Sequence, residues 1–168
     1  MKNELLKQIN ILVDRLHELR ELHEQLLASV HAKLRAMRNG DINSLNSWSA
    51  RENFLIRQIE EAEKQRRGQS LVLSKALDLD EKVTLTQMAN HLDEPHRSKL
   101  LALAGAIRGV VEQIYQINHV NDAVTREILN CFAQMQRQIK STHCDIGLYD
   151  PNGRKQMGST INILDAVG

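Results

Sequence analysis

The residues whose types could do chemistry are His143 with Cys144, a second cysteine at Cys131, and the carboxylates strung along the helical stretches. Adjacent His143 and Cys144 offer two metal ligands, but a structural zinc needs four donors, and no second pair stands at a matching spacing. No metal site is expected. The carboxylates lie mainly three or four residues from Lys or Arg, the spacing of solvated pairs on a helix surface. No glycine-rich phosphate loop, His-Glu-x-x-His helix, nucleophile elbow or Cys-x-x-Cys is present. The chain therefore reads as a non-enzyme with neither catalytic residues nor a cofactor. Two other features ask for a role: a polar group, Asn118, Asn121 and Thr125, on consecutive positions of an apolar seam, and Tyr149 beside a turn.

The element that positions the asparagines is a helical pattern running from Pro95 to about Ser141. Its seam reads Ala104, Ile107, Val111, Ile114, Asn118, Asn121, Thr125, Ile128, Phe132, Met135 and Ile139, in steps of three and four. That alternation marks a helix burying one stripe against other helices, and a pattern this long belongs to a coiled coil or an elongated bundle. Polar residues in such a seam cost stability but fix register and partner choice. Counting from the helix starts puts His23 and Asn118 at similar heights, so a polar layer shared between them is expected.

Two further long helices precede it. The first spans about residues 4–39, with Leu5, Ile9, Leu12, Leu16, Leu19, His23, Leu26 and Val30 as its stripe. Asn39, Gly40 and Asp41 then read as helix stop, left-handed turn and new cap. The second helix spans about 42–77, with Leu45, Trp48, Glu52, Leu55, Ile59, Ala62 and Arg66 on its seam and a kink or fraying expected at Gly68. The short connection makes these two antiparallel. Between residues 79 and 94 the pattern is irregular. Thr84 and Gln87 form a capping box there, with Leu85, Met88, Ala89 and Leu92 on one face. That stretch resembles the first half of a helix-turn-helix, but Asp93, Glu94 and Pro95 interrupt it and no basic recognition helix follows. From Thr142 the pattern stops. Residues 142–168 hold four of the eight glycines and scattered apolar residues, the composition of a flexible tail that orders on a partner.

Composition bounds the class. With 42% hydrophobic residues but only 3% aromatic and 2 prolines, the chain suits long helices and poorly suits a β-sandwich. A net charge of +1 with both signs interleaved supplies no footprint for nucleic acid. The longest apolar run, 100–107, is far short of a membrane span, and residues 1–4 lead directly into an amphipathic pattern. A cytoplasmic, soluble protein without membrane insertion is expected, its two cysteines unpaired. The fold class is all-α: an elongated three-helix antiparallel bundle over residues 1–141 and a flexible tail over 142–168.

Three local patterns occur in order on this architecture: residues 59–67 at the end of the second helix, 116–121 in the third, and Leu148, Tyr149, Asp150, Pro151, Asn152, Gly153 and Arg154 in the tail. Together they resemble the FlgN-type flagellar export chaperones, which serve the hook-associated proteins. The resemblance spans nearly the whole chain, with 79–94 the least matched. It implies a helical, cytoplasmic protein that binds the C-terminal segments of hook-associated proteins and delivers them to the flagellar type III export gate. Asn118 and Asn121 match the family's helix-three asparagines. Tyr149 matches the tail tyrosine for gate docking, with Gly153 and Arg154 completing that motif and Leu148 beside it; Pro151 departs from the commonest pattern and stiffens the turn.

A chaperone of helical segments needs a groove between helices. The expected client-binding residues are Asn118, Asn121, Val124, Ile128, Phe132, Met135 and Ile139, with the tail folding over them. Exposed seam residues would equally favour a homodimer. The competing function is a structural coiled-coil adaptor, which would keep its partner after tail deletion. A DNA-associated helical protein, the third reading, would show salt-dependent retention on DNA.

Overall fold

The computed structural model describes residues 2–143. Over that range the chain is all-α, with α1 at Lys2–Asn39, α2 at Ile42–Ala76, α3 at Leu85–Ala89 and α4 at His96–His143. There are four helices where three were expected. The addition is α3, five residues long, set by the capping box: Gln87 N–H donates to Thr84 Oγ1 at 3.2 Å, and Thr84 N–H donates to Gln87 Oε1 at 2.9 Å. Its Met88 and Ala89 are buried, as is Leu92 just beyond, so this stretch is a strap over the core.

The chain divides into two compact units, residues 1–124 and 125–168, and α4 contributes to both. In the first unit, α2 runs back along α1. Arg51 Nη2 donates to Gln25 Oε1 at 3.0 Å, whereas the later Gln69 reaches the earlier Gln8, Nε2 to Oε1, at 2.7 Å. One apolar cluster joins Ile9, Leu12, Val13 and Leu16 to Leu73, to the strap, and to Leu100 and Leu103 of α4. A second joins Leu26 and Val30 to Leu55 and Ile114, edged by Leu22, Leu27, Ile59, Val110 and Ile117. Early α4 thus meets early α1 and later α4 meets later α1, so these two helices run in the same direction.

The turn between α1 and α2 follows its residues. Gly40 has φ +66°, a left-handed conformation that costs any side chain with a Cβ, although a Cβ there would meet nothing within 4 Å. Asp41 then caps α2, its Oδ1 accepting from Ser44 N–H at 3.0 Å. Because space is free, the backbone alone sets the penalty: Gly40→Ala should lower stability by about 1 kcal/mol in urea unfolding, and Gly40→Asn by less.

The chain remains helical through Gly68 to Ala76, with no break at the expected weak point. Side-chain pairs centred on Glu63 support this stretch. Arg66 donates to Glu63 from Nε and Nη2, both at 2.7 Å, Arg67 adds Nε at 2.9 Å, and Gln69 ties the next turn to α1. At the start of α4, Pro95 lies just outside the helix and not at its first position, with the Glu94–Pro95 peptide cis; Glu94 caps through its carboxylate, which accepts from Ser98 N–H at 3.3 Å.

Candidate functional site

The face of α4 that closes the core changes its partners along the helix. Ile107, Ile114, Asn121, Ile128 and Met135 recur every seven residues. In the first unit they are joined by Leu103, Val110 and Ile117, which pack into the two clusters. The sequence seam placed Ala104, Val111 and Asn118 there. Val111 is instead exposed and Asn118 half-buried, each one residue off the packed line. A heptad spacing fits two neighbouring phases, and the larger side chains at 103, 110 and 117 take the inward one.

Asn121 is the buried asparagine. It is 4% exposed, and its Nδ2 donates to the Val30 carbonyl at 3.4 Å. The expected pairing of His23 with Asn118 is not the layer that forms. His23 Nδ1–H donates to the Leu19 carbonyl of its own helix at 2.7 Å, and the 91-residue offset of Asn121 from Val30 sets His23 level with Ile114. Asn121 therefore ties α4 to α1 at this height. A polar cross-link that spacing did not reveal accompanies it between α1 and α2. Lys33 Nζ donates to Glu52 Oε2, with the Lys33 and Glu52 side chains 20% and 11% exposed. Glu52→Ala would leave that ammonium inside the seam and should cost about 2 kcal/mol in urea unfolding, whereas Lys33→Met with Glu52→Leu should stay within about 1 kcal/mol of the parent.

In the second unit Ile128 and Met135 on this line are exposed, as are Phe132 and Ile139 on the neighbouring line that carries Val111 and Asn118. Ile128 is 37% exposed, Phe132 60%, and Met135 and Ile139 each 51%, with Leu129 at 62% beside them. Every residue from 125 to 139 is exposed. A row of large apolar side chains in water on one helix is the mark of an interaction surface. Val124, half-buried, belongs to the first unit with Asn118 and Asn121. Leu148, Tyr149, Gly153 and Arg154 lie outside the described residues, as does Cys144; Cys131 is an exposed free thiol.

The electrostatics are structural. Among the described residues, the carboxyls that clearly shift all shift down. Arg66 first, then Arg67, holds Glu63 below its ordinary range against the opposing effect of burial; Ser44 does the same for the capping Asp41, and Ser98 for Glu94. Each is a helix cap or an arginine clasp. A general acid would need the opposite shift. No group of three or more His, Cys, Asp or Glu residues that could hold a metal ion occurs among the described residues.

Fold and face together define an all-α protein with a row of large apolar side chains exposed on one helix. A family model described as FlgN protein matches residues 1–156, and the chain belongs to the FlgN family. Members are flagellar export chaperones and not enzymes, and they are soluble and cytoplasmic. Neither the curated proteins nor the solved structures gave a match. α4 contains an 18-residue window long and apolar enough to cross a membrane by length and composition, of which 17% is buried.

Proposed function

We propose that this protein binds the C-terminal helical segments of hook-associated proteins on the exposed face of α4, prevents their premature assembly, and delivers them to the flagellar export gate. The observation that carries the reading is the stripe Ile128, Phe132, Met135 and Ile139, ordered in a helix but uncovered. Segments that polymerise through amphipathic helices need their apolar sides covered before export, and a helix laid against a helix face supplies that cover. Asn118, Asn121 and Val124 remain in the proposal as contacts, Asn121 also bonding to α1. Residues 1–141 form the helical scaffold, with the α3 strap added. Residues 142–168 are the partner-binding tail, with Leu148, Tyr149, Gly153 and Arg154 docking the gate.

Calorimetric titration of the full chain with the C-terminal segments of hook-associated proteins tests this. One-to-one binding at about micromolar Kd or tighter, weakened by truncation at Thr142, supports it. No binding to any of them would return the chain to the role of a structural coiled-coil adaptor.

A further inference from the structure

The exposed seam of α4 is spaced four, three, four, which places Ile128 and Met135 at d and Phe132 and Ile139 at a of a heptad. The flanking e and g positions are then Leu129, Cys131, Gln136 and Gln138. None carries a charge. The ionised residues among 125–139, Arg126, Glu127 and Arg137, fall at b, c and f, away from the seam. Between paired helices, e and g are where Glu and Lys ordinarily choose a partner through ion pairs. That device is missing along the whole exposed stripe.

The omission constrains what can lie there. A partner helix with Lys or Glu at its own flanking positions would press those charges against Leu129, Cys131 or a glutamine amide. Each would lose water without meeting a counter-charge. Flanks of Gln, Asn, Ser or Thr avoid that penalty and can hydrogen-bond to the Gln136 side chain. Discrimination then comes from what the face rejects.

We infer that the α4 face takes an amphipathic helix with an apolar seam and uncharged polar flanks, and that it refuses helices whose flanks are charged. This rests on the reading of α4 as the client face and narrows the class of client. Any helix with that pattern is accepted, whatever its detailed sequence. Binding is correspondingly indifferent to salt, since no ion pair is screened.

Three synthetic peptides sharing one apolar a/d seam, with Gln, Glu or Lys at every e and g position, test it against the full chain by calorimetry. The Gln-flanked peptide should bind at least about tenfold tighter than either charged one, a difference of about 1.4 kcal/mol. Its Kd should change less than about twofold between about 0.05 M and 0.5 M salt. A charged peptide that binds as tightly, or a Kd that weakens steeply with salt, overturns the inference. So does failure of all three peptides while a hook-associated segment binds in a Phe132-dependent way. If that segment binds equally well to the Phe132→Asp protein, the client face itself has been misplaced, a different failure. A stable dimer in sedimentation that the peptides do not displace would make a second copy the occupant, and binding seen only after removal of residues 144–168 would make the tail the occupant; both overturn it.

Discussion

Phe132→Asp will weaken binding of a hook-associated C-terminal segment about a hundredfold and leave the thermal midpoint where it was. The two halves of that expectation have separate causes. Phe132 is 60% exposed, so little intramolecular packing depends on its ring, and a helix surface accepts Asp at a cost of a few tenths of a kcal/mol. In a complex the ring is the largest anchor of the seam. An aspartate there would bury a carboxylate against apolar side chains with no cation opposite. Calorimetry gives the Kd and a circular-dichroism melt gives the midpoint. A lowered midpoint with unchanged affinity would mean that the stripe serves the protein's own packing and that clients bind elsewhere.

The largest expected effect on stability lies at the other end of α4's course. Leu12 has no exposed surface and sits in the cluster that unites α1, α2, the strap and the start of α4. Leu12→Ala removes three carbons from a site walled on several sides, where collapse is least free, and should cost about 3 kcal/mol. For a chain of this size that lowers the midpoint by about 10 °C. Leu6, 37% exposed on the same helix, is the control: Leu6→Ala should cost about 0.5 kcal/mol. Equal losses at the two positions would mean that the cluster is not the centre of the fold.

Local signals in the sequence were enough for the helices and their ends. Apolar steps of three and four located α1, α2 and α4 to within a residue or two, because the period of a helix is an intramolecular property. Gly40 and Asp41 were readable for the same reason, as was the capping box of Thr84 and Gln87. What depends on two helices at once was not readable. Whether 103 or 104 faces inward turns on a difference of one residue in seven that both phases satisfy. The height of α4 on α1 is fixed by the tertiary match of Asn121 to Val30, not by counting from helix starts. The pairing of Lys33 with Glu52 spans nineteen residues across a turn and has no periodic signature. Of the site, the stripe Ile128, Phe132, Met135 and Ile139 was legible as apolar, but only the structure shows it uncovered.

The cluster holding Leu12 also dictates an order of assembly. It closes only when residues near 9 meet residues near 103, across two intervening helices. The α1–α2 hairpin, by contrast, pairs residues across a two-residue turn and carries its own ionic and amide cross-links. Loop-closure entropy favours the hairpin as the early structure and the docking of α4 as the late one. During synthesis, then, α1 and α2 present an open apolar trough until about residue 103 has emerged. The strap, arriving just ahead of α4, is the first segment able to cover one end of it.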